Sequence, residues 1–354
     1  MPENYFLDLN KTTESRFWIN NPTKREAELA IEQGAIACTT NPAYCSRLIE
    51  QEKSEMEMLT DGIIKEHLSD KTKSFSFDDV AFEVYQQCAK RIMDIFMPGY
   101  DAANGKCGFV TLQDDPRFDE DTERSVKNVL KNVALAPNYM AKIPVISGGI
   151  EAIEACVEHN IPICATEVFA ISQAITICSV YENASKKYGN TPPMYVTHIS
   201  GIFDEYLYKK SRILGIDVSD DIIFQAGTCI ARKENRIIRE RGYNAVLLGG
   251  GARNICHFTD IIGGPHITIN WSTALELLES DLPVRYSVDD ETDPAVIKYL
   301  TETFPEFAAA YSDDGLSVEE YADFAPVQLF RNAFIKGWYL LLAFVAERRN
   351  VLAL

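Results

Sequence analysis

A lysine stands in an apolar run, Tyr139-Met140-Ala141-Lys142-Ile143-Pro144. If that run is a core strand, burial disfavours the ammonium and lowers its pKa, leaving a nucleophilic amine at neutral pH. Such an amine condenses with carbonyl substrates to give a Schiff base. A lysine at a strand exit that pairs outward with a carboxylate fits the same run equally well. A second anomaly is Asp8, between Leu7 and Leu9. A carboxylate in an apolar segment is either paired or put to work. It is a proton shuttle for cleavage of a carbon–carbon bond beside a hydroxyl, or a structural group that caps backbone amides. His67, His159, His198, His257 and His266 have no metal-ligand spacing, so neither a metal nor another cofactor is expected.

Something must hold such groups in place. Short apolar runs alternate with amphipathic stretches along the chain. Strands are expected at 5–9, 35–40, 108–112, 139–144, 161–169, 194–199, 245–248 and 266–270. Helices are expected between them. The clearest covers 23–33, with Thr23 and Glu26 spaced as a capping box and Gly34 at the stop. The long stretch 43–97 reads as two helices, and 252–262 as a short one. Eightfold strand–helix alternation predicts a (β/α)8 TIM barrel over 1–280. An open doubly wound sheet also alternates, but no G-x-G-x-x-G follows the first strand, and Gly249-Gly250-Gly251 comes only at the seventh. Residues 281–354 read as a C-terminal helical extension. Its apolar segment 334–348 packs on the barrel or over its mouth, and is too short for an isolated membrane anchor. In a barrel, chemistry sits at the C-terminal strand ends. Those ends would present Asp8, Asn41, Gln113, Lys142, Thr166, Thr197 and Arg253.

The formal net charge of −18 repels phosphate backbones, so nucleic acid is not an expected partner. An anionic substrate would need a local cationic site. Nine cysteines without a Cys-x-x-Cys pair point to reduced thiols. Residues 1–9 lack the pattern of a secretory signal, and no run of ~18 apolar residues occurs. A cytoplasmic location without membrane contact is therefore expected. A homo-oligomer is compatible with the apolar segment near the end of the chain.

Several segments together carry a resemblance. Thr39-Thr40-Asn41-Pro42 resembles the T-T-N-P turn of transaldolases, and 111–117 resembles their S-x-E-V-D-P-R segment. Lys142-Ile143-Pro144 is similar to the K-I-P of their Schiff-base strand. Residues 149–153, 166–174, 251–255 and 267–269 are similar to the segments that follow, in the same order. The chain is thus identified as a member of the transaldolase family, within the class I Schiff-base aldolases. The resemblance implies that Lys142 forms the imine, Asp8 takes the proton of the ketose C4 hydroxyl, and Thr166 holds the catalytic water. It implies that Asn41 binds substrate hydroxyls and Arg253 the substrate phosphate. Cys164 and Thr197 are counted among the substrate-facing residues. The implied substrates are a sugar phosphate or related ketose and an aldose acceptor, with a dihydroxyacetone unit transferred between them and no cofactor.

Three positions depart from the family pattern. Gln113 replaces a glutamate, as in the fructose-6-phosphate aldolase branch; it can position a water but not take its proton. Cys164 replaces an asparagine. Within 197–204, Ile202 replaces a phosphate-binding arginine and Ile199 an aromatic residue, and the aldolase branch's tyrosine acid is missing too. Loss of a bidentate charged contact costs about 2–3 kcal/mol of phosphate binding unless His198, Lys209 or Lys210 substitutes. These departures leave room for a class I aldolase that releases dihydroxyacetone or acts on a modified sugar. A catalytically silent barrel with a binding or regulatory role is the reading from a different class.

Overall fold

The computed structural model describes residues 4–72 and 74–353. Eight parallel strands close into a barrel in chain order: β1 (Phe17–Asn20), β2 (Ala37–Thr39), β3 (Val110–Gln113), β4 (Tyr139–Pro144), β5 (Ile163–Val168), β6 (Met194–Ile199), β7 (Val246–Gly250) and β8 (His266–Ile269). Pairing of β1 with β8 completes the ring. The expected TIM barrel is what forms.

The helices, in order, are α1 (Tyr5–Thr12), α2 (Lys24–Glu32), α3 (Tyr44–Gln51), α4 (Lys53–Ser69), α5 (Phe77–Ala102), α6 (Thr122–Asn132), α7 (Ser147–Glu158), α8 (Ile171–Tyr188), α9 (Ser200–Leu214), α10 (Asp220–Ile223), α11 (Ala226–Glu240), α12 (Cys256–Thr259), α13 (Trp271–Glu279), α14 (Pro294–Thr303), α15 (Pro305–Tyr311) and α16 (Ala325–Val351). The expected capping box starts α2: Thr23 Oγ1 accepts from Glu26 N, and Glu26 Oε2 accepts from Thr23 N.

The first strand differs from expectation. Residues 5–9 are the start of helix α1. The Asn4 side chain accepts hydrogen bonds from Phe6 N and Leu7 N, capping the first turn. Tyr5, Phe6 and Leu9 are buried at helical spacing, whereas Leu7 is exposed. Phe6 stacks on Phe17, the first residue of the true β1. Asn10 donates to Gly34 O in the turn that feeds β2, so α1 lies at the N-terminal end of the barrel. Asp8 is therefore at the end opposite the strand C-termini and has no place in a barrel-mouth site. The stretch 43–97 folds as α3, α4 and most of α5, three helices rather than two. Only 256–259 of the expected 252–262 helix is regular.

Inward-facing side chains are layered. Trp18, Phe109, Met140, Cys164, Tyr195 and Leu248 pack as one buried cluster that closes the lower half of the barrel. Trp18 Nε1 donates to His266 Nδ1, and its ring meets Tyr195 edge-on at a 4.7 Å centroid separation. Outside, the helices pack on the sheet through a continuous apolar layer.

Helix α16 is 27 residues long, beyond the expected 334–348, and is the one described helix whose length and hydropathy would suffice to cross a bilayer. It contacts α3, α5, α9, β5 and the turn Pro116–Phe118, which places it across the barrel mouth. Phe334, Trp338, Leu341 and Val345 are buried along it at helical spacing. Gly337 permits the closest approach: a Cβ there would lie 2.7 Å from Ala43 Cα, inside any tolerable contact.

Candidate active site

Strand β4 alternates Met140, Lys142 and Pro144 into the barrel. Met140 joins the lower cluster, and Lys142 sits one layer higher, 6% exposed. Its Nζ donates to Thr40 O at 3.3 Å and lies 5.7 Å from the centre of the Phe334 ring. Burial lowers the Lys142 pKa from its ordinary value; the nearby Cys164, Glu167 and Cys38 side chains oppose that shift. The amine reaches a cavity of about 210 Å³ at the strand C-termini. Asn20, Asn41, Thr39, Thr197, Arg253 and Thr268 line its walls, and Phe330 and Phe334 of α16 form its roof. A larger cleft, about 460 Å³, lies at the opposite end beside Thr12, Thr13 and Gly263, far from the lysine.

A hydrogen-bonded chain holds one wall. Thr268 and Thr39 hydroxyls meet at 2.6 Å, Thr39 Oγ1 bonds Asn20 Oδ1, and Asn20 Nδ2 donates to Asn270 Oδ1. The turn after β2 is fixed by Thr40 Oγ1 donating to Thr111 O and by Asn41 Oδ1 accepting from Ala43 N. Cys164 faces Thr197, Sγ to Oγ1 3.2 Å. Burial pushes the Cys164 thiol up, which keeps it neutral.

Residues 17–323 match the Transaldolase/Fructose-6-phosphate aldolase family. The chain belongs to that family. Transaldolase 1 of Streptomyces avermitilis is 26% identical over 157 residues, 44% of this chain and 39% of that protein. The transaldolase of a Parafrankia species is 29% identical over 150 residues, 42% and 38% respectively. That of Neisseria meningitidis is 23% identical over 184 residues, half of each chain. The chain thus spans about two fifths to half the length of the curated relatives it matches.

The family match begins at the first residue of β1, beyond Asp8. In this transaldolase-family chain the residue that ends β1 at the mouth is Asn20, an amide that hydrogen-bonds but does not ionise to act as an acid or base. Among the described residues lining the cavity there is no carboxylate. Sequence reasoning missed Asn20 and Asn21, although Phe17-Trp18-Ile19 followed by Asn-Asn-Pro repeats the logic of the β2 exit, an apolar run stopped by Asn41-Pro42. Arg253 lines the cavity, but Glu205 Oε2 holds its Nε at 2.7 Å. None of the three substitute groups lines the cavity. His198 is buried against Glu234, Lys209 pairs with Glu205, and Lys210 pairs with Glu306. Ile199 and Ile202 present hydrocarbon to the cavity at the positions where the family pattern has an aromatic ring and an arginine.

A carboxylate does come close to Lys142, from a position that strand alternation would have turned outward. Glu167 is fully buried, and its Oε1 accepts from Gln113 Nε2 at 3.0 Å. Gln113 pairs with Lys142 in the β3–β4 register. The only sequence signal was a charged residue within Ala165-Thr166-Glu167-Val168-Phe169.

Proposed function

We propose that this protein acts on a ketose through a Schiff base at Lys142, cleaving it and passing a dihydroxyacetone unit to an aldose acceptor. The observation that carries this reading is a buried lysine at a barrel mouth, whose lowered pKa favours the free amine that attacks a carbonyl. The amine adds to the ketose carbonyl and water leaves. As the C3–C4 bond breaks, its electron pair flows to the protonated imine, and the C4 hydroxyl gives up its proton. An aldehyde product departs, and the three-carbon enamine stays bound. Addition to an aldehyde acceptor and hydrolysis of the new imine complete the cycle. Thr39, Asn41, Thr197 and Thr268 offer hydroxyl and amide groups suited to sugar hydroxyls.

Gln113 and Ile202 favour a second reading, a class I aldolase that releases free dihydroxyacetone. A single assay separates the two: incubate with fructose 6-phosphate and compare free dihydroxyacetone with sedoheptulose 7-phosphate formed from added erythrose 4-phosphate. Underneath both lies the imine. Borohydride reduction in the presence of dihydroxyacetone should add mass to Lys142, and Lys142→Met should abolish the gain. No gain in the unaltered protein, with a set of phosphorylated and unphosphorylated ketoses, would leave a silent barrel.

A further inference from the structure

The imine reading leaves a proton without a home, since Asp8 is at the wrong end and the β1 exit carries Asn20. We propose that Glu167, swung into the barrel by a bulge in β5, is the proton-transfer residue of the Lys142 site, working across a water it shares with Gln113 and Thr166.

The register shows how it gets there. Ala165 pairs with Val196, but Val168 pairs with His198, so β5 uses one more residue than β6 over the same span. Thr166 and Glu167 both stand opposite Thr197, whose side chain faces inward. The extra residue adopts φ +59°, a left-handed conformation that side-chain-bearing residues rarely take. Strain of this kind persists only where the surroundings enforce it, and it gathers at functional sites. Here Gln173 enforces it. Its Oε1 accepts from Phe169 N and Ala170 N, and its Nε2 donates to Glu167 O and Val145 O.

Around the bulge, Gln113 Oε1, Glu167 Oε2 and Thr166 Oγ1 are buried without a hydrogen-bond partner among the described residues, as is Asp119 Oδ2. The Gln113 amide is oriented by its bond to the carboxylate, so its oxygen is an acceptor aimed elsewhere. Buried polar atoms without partners are costly, and a bound water is the usual remedy. Imine formation releases one water per turnover. In dehydration, the carbinolamine C–O bond breaks, the nitrogen lone pair forms C=N, and the leaving hydroxyl takes a proton relayed from the Glu167 carboxyl. The carboxylate so formed can receive the C4 hydroxyl proton by the same relay as the C3–C4 bond opens. Burial pushes the Glu167 carboxyl up to about 7, opposed by Gln113, Lys142 and Arg331. The groups facing it are Gln113 from β3, Lys142 from β4, Asp119 from the turn after β3, and Arg331 from α16.

This proposal rests on the lysine reading above, and its test separates the two. The probe is dihydroxyacetone with cyanoborohydride, with the rate of Lys142 adduct formation followed by mass spectrometry from pH 5 to 9. The unaltered protein should give a rate that rises as Lys142 loses its proton and falls as Glu167 does. Glu167→Gln should trap about 100-fold more slowly, the low end of general acid–base effects, and lose the alkaline fall. Glu167→Asp should retain the fall at a reduced rate, and Asp119→Asn should retain it too. Circular dichroism checks that each variant is folded; if Glu167→Gln is not, the Glu167→Asp profile decides, and an alkaline limb identical in position to the unaltered one overturns the proposal. So does an unaltered limb in Glu167→Gln, or its loss in Asp119→Asn. Absence of any adduct in the unaltered protein overturns the lysine reading and this one together.

Discussion

Among the described residues Arg253 is the one guanidinium lining the cavity, and Glu205 occupies it. Glu205→Gln should free that cation and lower KM for fructose 6-phosphate by about two- to fivefold, the size of an exposed ion-pair energy. KM for unphosphorylated fructose should not move, and steady-state assays with both sugars check the contrast. The Glu167 carboxyl has a different signature. Its folded-state pKa is raised, to about 7 from 4.5, so the stability it contributes is present below pH 4.5. Over the window from 4.5 to 7 the unfolded chain releases this proton and the folded chain keeps it, so stability falls by about 1.4 kcal/mol per pH unit for this group. Glu167→Gln removes the dependence. It should be more stable than the unaltered protein at pH 8 and lose that advantage at pH 4, as urea denaturation at the two pH values would show. If Lys142 is the reactive amine, a group beside it that weakens the fold fits the usual trade between stability and activity.

At the scale of elements, the strands buried on both faces were the easiest to read. The limits of β4 and β6 emerge as expected, because a largely apolar run of six residues with Pro or Gly nearby has few other ways to fold. Tyr5 to Leu9 failed by the same criterion: a short apolar run fits a buried strand and a helix alike, and the Asn4 cap decided it. Four-residue β1 was overlooked because it offers too few residues for alternation to register. The Glu167 bulge was out of reach for a different reason, since one extra residue in a strand changes which side chain points inward without changing composition. Helix α16 was legible as a helix, with a seat on the barrel or over its mouth left open; the choice depends on tertiary contacts such as Gly337 meeting Ala43. Phe334→Ala should cost about 3–5 kcal/mol as a buried aromatic truncation. It should also admit water to Lys142, restoring part of its ammonium character. The pH at which borohydride trapping begins should then move upward, and paired melting and trapping measurements would reveal both effects.

For the whole molecule, the decisive arrangement is a barrel packed solid below and roofed above. If a dihydroxyacetone unit is transferred, the aldehyde product must clear the cavity of about 210 Å³ before the acceptor binds. Initial rates measured against donor at several acceptor concentrations should then give parallel reciprocal plots, the mark of a covalent intermediate held between two half-reactions. Converging lines would require both sugars to be bound at once.

The plug formed by Trp18, Tyr195 and Met140 has a consequence for traffic. With described side chains filling the lower half of the barrel, the mouth is the threshold for both entry and exit, and if two sugars alternate there, a crowded supply of either would slow the other simply by standing in the way. Metabolite levels outside the protein would thereby be felt as queueing, with no second binding site needed to sense them.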